Sequence, residues 1–396
     1  MTKYLSLNCL LIPLLLCTCE RAHKISYEQD MQLLEKHTSV IELSNRDGQS
    51  RIAVTPELQG RVMTSTAFGI KGASNGWWNR ASLEKAPYET RGLGGEDRVW
   101  ITPLGSQHSF YYQQITPLDE ENWQVPAPLS SGVFSLVTKS EEAIELEQRF
   151  ALTNFIGTNF LLHLKRSILL LNRDHIASKL DVLPADDLPW VGYEASHVLT
   201  NLADDSLSLS TGLAGIWSAG MFEGGDQAIV IIPMENAKAN AKLLTYMGPL
   251  RKDRLWLDDQ AVYFKVDGKY RSKIGVPVDQ APNIYGCYDP EQNRLTIVRL
   301  LLGEEADHYS NSHPNVQPLP YTNGEAIPIY NNGPMDYQPT EEVSFYELES
   351  TSPLKALAPQ ESLSHTHLMC HFYGSTDELN VMAEPLLGID LGTLHR

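Results

Sequence analysis

From Val40 onward the chain is built of short apolar runs that alternate with polar residues or carry β-branched ones. VIEL, SRIAVTP, GRVMTSTAF, FSLVTKS, AIELEQRFALTN, FLLHLKRSILLL and IASKLDVLP follow one another, with Gly, Pro, Asn and Asp between them. A period of two bounded by turn residues predicts strands, and a spacing of about ten residues predicts a sandwich or barrel rather than β-α units. FLLHLKRSILLL is a continuous apolar run that also suits a buried helix. Its flanks, Thr158-Asn159 and Asn172-Arg173-Asp174, favour a strand. Helical signals sit at the two ends. Ser26 with Gln29 makes a capping box for a helix to about His37. Ser375-Thr376-Asp377 caps ELNVMAEPLLG, where Pro385 is expected to break or restart the helix. The stretch Ala306 to Pro339, rich in Asn, Pro, Gly and Tyr, reads as a long ordered loop with a functional role. The expected fold is all-β, one domain over residues 26–396, with a short helix at each end.

The segment Phe345 to Phe372 concentrates ionisable residues. Alternation puts Phe345, Glu347 and Glu349 on one face of a strand, and His365, His367 and His371 on one face of the next. If the two strands pair, carboxylates and imidazoles converge on one surface. Two like charges on a strand face need water, a cation or a ligand between them, and burial raises one of their pKa values, as a general acid or base requires. An exposed polar face is the alternative. His365 and His367 have the spacing of a transition-metal chelate, yet hydrogen-bonded structural histidines are the simpler account; no metal is assigned.

The N-terminus sets the address. Met1 to Tyr4 carry one Lys, and LSLNCLLIPLLLCT is too short for a permanent membrane span. Leu16-Cys17-Thr18-Cys19 resembles a bacterial lipoprotein signal, with residues 1–18 removed, Cys19 acylated and residues 19–25 a tether. An ordinary secretory signal is the alternative; both predict export. Of five cysteines, Cys287 and Cys370 then remain, and two separate buried thiols are expected rather than a disulfide framework. A net charge of −18 argues against nucleic acid. Neutral, hydroxyl-rich ligands fit better, and 7 Trp and 17 Tyr can supply stacking surfaces.

Other constellations are candidates for holding such a ligand. In GGEDRVW, two glycines precede Glu96, Asp97 and Arg98, which bond ligand hydroxyls or form a structural ion pair. Trp100 and Trp123 stack on a sugar face or fill the core. GYEASHV places Glu194 on one strand face and His197 on the other. Arg271 and Lys273 share a face, as a grip on a carboxylate or phosphate or as solvated cations. No P-loop, dinucleotide fingerprint, nucleophile elbow or EF-hand loop occurs, so no cofactor is implied.

The ordered blocks ELQGRVMTSTAFG, GGEDRVWITPLGSQHSFYY, GYEASHVLTN, GLAGIWSAGMF, VYFKVDGKYRSKIGVP, YNNGP, and FYELESTSP with HTHLMCHF resemble the galactose-mutarotase-like superfamily. Within it the chain is similar to a family of exported Bacteroidetes proteins, over about residues 26–396. The resemblance implies a β supersandwich. In the superfamily's epimerases a late carboxylate, ahead of a Pro-Gly-Glu turn, is the general base, and an earlier histidine is the acid. Glu349 ahead of Ala358-Pro359-Gln360-Glu361 matches that placement, with Gln360 where glycine is usual. His197 stands in the corresponding histidine block, though the local pattern departs from the epimerase one. The resemblance thus implies Glu349 as base and His197 as acid, and Glu347, on the same strand face as Glu349, completes the catalytic set. Glu96, Asp97, Arg98, Trp100, Glu194, Arg271, Lys273, His365 and His367 would contact a carbohydrate or polyol. A non-catalytic glycan-binding lipoprotein on the same fold is the other reading.

Overall fold

A computed structural model describes residues 25–84, 92–119, 121–303, 308–321, 323–335 and 344–394. The leader, the tether up to residue 24 and the Cys19 acylation site lie outside the described residues. Nineteen strands occur among the described residues, in three antiparallel sheets. β1 (Ile41–Ser44), β2 (Arg51–Thr55) and β3 (Arg61–Thr66) form the smallest. The chain then runs through β4 (Arg98–Thr102), β5 (Ser135–Lys139), β6 (Ala143–Thr153), β7 (Asn159–Leu170), β8 (Trp190–Asn201) and β9 (Gly215–Glu223). Next come β10 (Ile229–Pro233), β11 (Leu244–Tyr246), β12 (Leu255–Leu257), β13 (Ala261–Lys265) and β14 (Ser272–Val276). Last are β15 (Ile284–Asp289), β16 (Arg294–Leu300), β17 (Ile327–Asn331), β18 (Phe345–Thr351) and β19 (Ser362–Tyr373).

The large sheet has the order β12-β13-β10-β15-β16-β19-β8-β7-β6-β5, and the second has β11-β14-β17-β18-β9-β4. One face of each turns inward onto a shared core that includes Leu164, Tyr193, Leu199, Ile216, Phe222, Val298 and Leu348, all buried. Each such side chain withdrawn from water contributes about 1.5–3 kcal/mol, and this is what holds the two sheets face to face. This mostly β, face-to-face architecture is the sandwich that the sequence leads one to expect.

Both terminal helices follow their caps. Ser26 and Gln29 form a complete capping box at Tyr27–His37, and that helix packs on β3. Ser375 and Glu378 do the same at Thr376–Leu387, which covers the outer face of β10, β15 and β16. Pro385 does not break this helix, contrary to expectation. It lies in the last turn, where the one hydrogen bond it forgoes matters little before the Gly388 cap. Ile176 to Leu180 of the predicted strand IASKLDVLP belong instead to a helix, Arg173–Leu180, because Asn172 and His175 cap each other's backbone amides. FLLHLKRSILLL is a strand, β7, paired along its length with β6. Within the long segment expected to be a loop, Ile327–Asn331 forms β17 between β14 and β18. Cys287 and Cys370 are separate buried thiols, and burial pushes the Cys287 thiol up to about 12.

The largest correction concerns the segment with the carboxylates and histidines. β18 and β19 do not pair with each other. β18 lies between β17 and β9 in the six-stranded sheet, and β19 between β16 and β8 in the ten-stranded sheet. The turn between them carries the chain from one layer to the other. Gln360 there has φ 66°, so it adopts the left-handed conformation that glycine would take most readily.

Candidate functional site

β18 divides its residues strictly between two environments. Tyr346, Leu348 and Ser350 point into the core between the sheets, and Phe345, Glu347 and Glu349 point the other way into a cleft of about 500 Å³. Strand register builds the floor of this cleft. Tyr246, Lys273, Tyr330, Glu347 and Met221 are successive partners across β11, β14, β17, β18 and β9. A second row sets Glu349 against Ala219 and Ala219 against Arg98, and Trp100 opposes Trp217 beside it. One wall comes from the loop carrying Tyr112 and Trp123, the other from Ser312, His313 and Pro314.

The walls are aromatic. Trp100 meets Trp217 edge to face at 4.9 Å and lies 5.9 Å from Trp123, and Tyr111 stacks on Trp123 at 5.4 Å. Such a surface suits the apolar face of a sugar ring. The floor is charged. Arg98 Nη2 donates to Glu347 Oε2 at 2.9 Å, with its guanidinium 4.4 Å over the Trp100 ring. Lys273 Nζ lies 3.1 and 3.3 Å from the two Glu349 oxygens and 5.1 Å from the Trp217 ring. A third carboxylate, Glu325, accepts from Tyr246 and Ser312. Gly275 makes room for it, since a Cβ there would come within 2.1 Å of Glu325 Oε2.

Burial, then the neighbouring Glu347 and Glu325 charges, push the Glu349 carboxyl up to about 7, although Lys273 works in the opposite direction. Burial alone would lower the Lys273 ammonium, but Glu349, Glu325 and Glu347 together hold it above its usual value. Glu349 is 0 % exposed and Glu347 8 %, so Glu349 lies deepest in the cleft and Glu347 nearer the opening. Burial lowers the His313 pKa, leaving a neutral imidazole 4.5 Å from the Tyr246 ring.

Glu347, Glu349, Arg98, Trp100, Arg271 and Lys273 therefore come together. Arg271 donates through Nε to Tyr330 Oη at 3.0 Å. The remaining predicted site residues do not reach the cleft. His197 is buried between the sheets with Nε2 3.0 Å from Ser218 Oγ, so the strand separates it from Glu349. His365 and His367 are also interior and share Ser350 Oγ at 2.8 and 2.9 Å. Burial depresses both to about 3, which keeps them neutral. Among the described residues no group of three His, Cys, Asp or Glu side chains is placed to hold a metal ion. Glu96 accepts from Ser65 at 2.7 Å and pairs with His371 Nε2 at 2.9 Å, with both partners fully buried. Burial lowers His371, so that contact is a hydrogen bond to a neutral ring. Asp97 pairs with Arg166 at 3.1 Å in the interior. Glu194 is on the opposite surface of the large sheet, 2.7 Å from Lys179. The reading of Glu96, Asp97, Glu194, His365 and His367 as ligand contacts, and of His197 as the catalytic acid, is corrected. Their polar groups are occupied by the fold, because β8, β19 and the segment just before β4 turn those side chains inward or away.

The pair of glycines before Glu96 is structural as well. Gly94 and Gly95 have φ of 86° and 118°, and a Cβ on Gly94 would stand 2.5 Å from the Trp77 carbonyl oxygen. Cleft residues missed in the sequence include Trp217, Tyr246, His313, Tyr330 and Arg61. Both faces of β9 are apolar, so alternation gave no reason to single out Trp217. Loop geometry alone brings His313 to the wall of the cleft. A second hollow of about 560 Å³, around Trp256 and Tyr263, lies on the large sheet's far side. Of the polar groups that line it, Asp226 pairs with Lys269 and Tyr263 Oη donates to Asp258.

This architecture is shared with solved structures. An aldose 1-epimerase candidate from Escherichia coli K12 aligns at TM-score 0.51 and 11 % identity, over 85 % of this chain and 99 % of that one. The Slr1438 protein of Synechocystis sp. PCC 6803 aligns at TM-score 0.50 and 11 % identity, over 85 % and 96 %. A galactose mutarotase related enzyme from Lactobacillus acidophilus aligns at TM-score 0.49 and 10 % identity, over 86 % and 99 %. No curated protein matches the sequence. One family profile, described as "Family of unknown function (DUF6786)", matches residues 25–396.

Proposed function

The chain belongs to the DUF6786 family, and we propose that it is a carbohydrate-active protein that binds a saccharide in the Trp-walled cleft over β18. The reading rests on one observation above all: a carboxyl group raised to about 7, Glu349, under a floor shared with Arg98, Lys273, Trp100 and Trp217. A carboxyl that titrates near neutrality is matched to proton transfer at a sugar hydroxyl. In the epimerase-like form of the proposal, Glu349 accepts the proton of the anomeric hydroxyl and the ring opens. As the C1–O5 bond breaks to give the open-chain aldehyde, the ring oxygen takes a proton from a water molecule on the opposite wall, and closure on the other carbonyl face reverses both proton transfers. With His197 behind the sheet, His313 is the imidazole on the cleft side. Glu347 and Arg98 then position the sugar, whose ring lies against Trp100 and Trp217.

A second reading, glycan binding without turnover, is favoured by the enclosure of Glu349, both of whose oxygens contact Lys273. The Glu349→Gln variant separates the two. Loss of anomer interconversion or glycan cleavage with saccharide binding retained supports the enzyme. A wild-type protein that binds saccharides and turns over none supports the binding module. Export and acylation at Cys19 belong to the same proposal and are supported by the apolar run ahead of Leu16-Cys17-Thr18-Cys19. Metabolic labelling with a fatty-acid analogue, lost in Cys19→Ser, is the expected result.

A further inference from the structure

The wall that carries His313 is fastened to a buried carboxylate. Glu325 lies just ahead of β17, is 2 % exposed, and has a donor on each of its two oxygens. Tyr246 Oη, from β11, donates to Oε2, and Ser312 Oγ donates to Oε1. Ser312 also donates its backbone N–H to the same Tyr246 oxygen at 3.2 Å, which closes a three-way contact. An ionised carboxylate only accepts, so it fixes the direction of both hydroxyl protons and leaves a Tyr246 lone pair for the Ser312 amide. Burial raises the Glu325 carboxyl, while Lys273 and the two hydroxyl donors favour its ionised form. The fold makes a place for this group. Gly275 leaves room for Oε2, and Thr351 Oγ1 donates to the Glu325 carbonyl oxygen, fixing the backbone beside it.

The contact reaches the cleft through His313. Ser312 directly precedes His313, so tying down its amide and hydroxyl sets where the next side chain points. The Tyr246 ring, whose hydroxyl the same carboxylate holds, lies 4.5 Å from the His313 ring. The His313 backbone is held from another side, where Gln317 Nε2 donates to its carbonyl oxygen at 3.2 Å and a Cβ at Gly105 would stand 2.0 Å from that oxygen. Tyr246, Ser312 and His313 line the cleft, and Glu325 lies behind them.

We infer that Glu325 is a positioning residue, which holds the His313 imidazole in the cleft wall by binding Ser312 and Tyr246 together. It acts through those two side chains and touches no sugar. The inference rests on the carbohydrate reading above and deepens it, by assigning the geometry of the wall to a residue behind the cleft.

The test follows the His313 Cε1–H resonance by NMR as pH is varied, with the resonance assigned by comparison with His313→Gln. Burial lowers the His313 pKa in the wild-type fold. Ser312→Ala, Tyr246→Phe and Glu325→Gln each cut one part of the three-way contact. Each is expected to move the titration up toward about 6.5, the value of a solvated imidazole. Loss of the Glu325 charge by itself would move it down, so an upward shift in Glu325→Gln reports release of the ring. Ser312→Ala leaves every charge in place and decides the matter if Glu325→Gln does not fold.

Polarimetry of α-D-glucose and α-D-galactose adds a functional readout. Ser312→Ala should slow anomer interconversion about two- to tenfold, the scale of one hydrogen bond. In a His313→Gln background the same change should alter the rate by less than about twofold, because it acts through His313. A general loosening of the fold would slow both backgrounds alike. An unchanged His313 titration in Ser312→Ala and Glu325→Gln, or equal rate losses in the two backgrounds, overturns the positioning role and leaves the carbohydrate reading standing. A wild-type protein that interconverts neither sugar counts against the epimerase-like reading, and the His313 titration then decides the role of Glu325 on its own.

Discussion

Lys273 Nζ stands 3.1 Å from Glu349 Oε2 with 7 % and 0 % of the two side chains exposed, and the pair is not symmetric. Lys273 answers three carboxylates, Glu349, Glu325 and Glu347, whereas the cation that lowers the Glu349 pKa is Lys273 alone. Removing one member of a buried pair leaves an uncompensated charge and costs about 3–5 kcal/mol. Lys273→Met, which strands Glu349 and removes a counter-charge from Glu325 and Glu347, is therefore expected at the top of that range. Glu349→Gln leaves Lys273 two other carboxylates and is expected to cost about 1–3 kcal/mol. Denaturant midpoints of the two variants decide it, and a larger loss for Glu349→Gln would contradict the asymmetry.

Asp97 was a candidate ligand contact in the sequence and is an interior ion pair in the structure. Its Oδ1 lies 3.1 Å from Arg166 Nη2, with side-chain exposures of 1 % and 0 %. Asp97→Asn strands the Arg166 charge between the sheets. The expected loss is about 3–5 kcal/mol, with saccharide affinity of the folded protein unchanged within about twofold. Chemical denaturation and calorimetric titration on the same sample test both halves. Unaltered stability with lost binding would return Asp97 to the site.

The interior histidines predict an acid response. His365 and His367 titrate at about 3 when folded because they are buried, and His197 is likewise held low by burial and then by Arg166. Unfolded, each takes a proton near about 6.5. Their contribution is intact above about 6.5 and is lost as pH falls from there toward about 3, at about 1.4 kcal/mol per pH unit for each ring. Glu349 acts oppositely. Raised to about 7, it favours the folded state at low pH and loses that contribution as pH rises from about 4.5 through 7. Comparison with His365→Asn isolates the imidazole. Between about pH 6 and pH 4 the stability of that variant should fall less steeply than wild type by about 1.4 kcal/mol per unit. Parallel curves would show that His365 is protonated in the fold.

How much of this was visible in the sequence follows from which rule governed each element. Period-two alternation set the facing of Glu347, Glu349 and Phe345 correctly, and the capping boxes at Ser26 and Ser375 located both terminal helices. Alternation says nothing about which layer a strand joins. Hence Glu349 and His365 looked like neighbours, although β18 and β19 lie in different sheets. A face that is polar in sequence also need not be a wet one. His197, His365, His371, Glu96 and Asp97 occupy the most buried layer, made tolerable by hydrogen bonds from partners distant in sequence: Ser218, Ser350 and Arg166. Trp217 and His313 were missed because their place at the cleft is a tertiary fact, the first on an apolar strand and the second on a loop.

The last prediction concerns the pH dependence of chemistry at Glu349. A base that titrates at about 7 is ionised above that value, so the initial rate of anomer interconversion on the sugar the cleft accepts should rise as pH passes upward through about 7. Lys273 is the group that pulls this midpoint down, since it favours the ionised carboxylate from 3.1 Å away. Lys273→Gln, a less disruptive change than methionine because it retains a donor, should shift the rising limb to higher pH and slow the rate at pH 7. Glu349→Gln should abolish the limb altogether and leave any residual rate flat across the same range. Initial rates followed by polarimetry from about pH 5.5 to 8.5 test all three curves. A rising limb that survives in Glu349→Gln would assign the titration to another group and remove Glu349 from the proposed proton transfer.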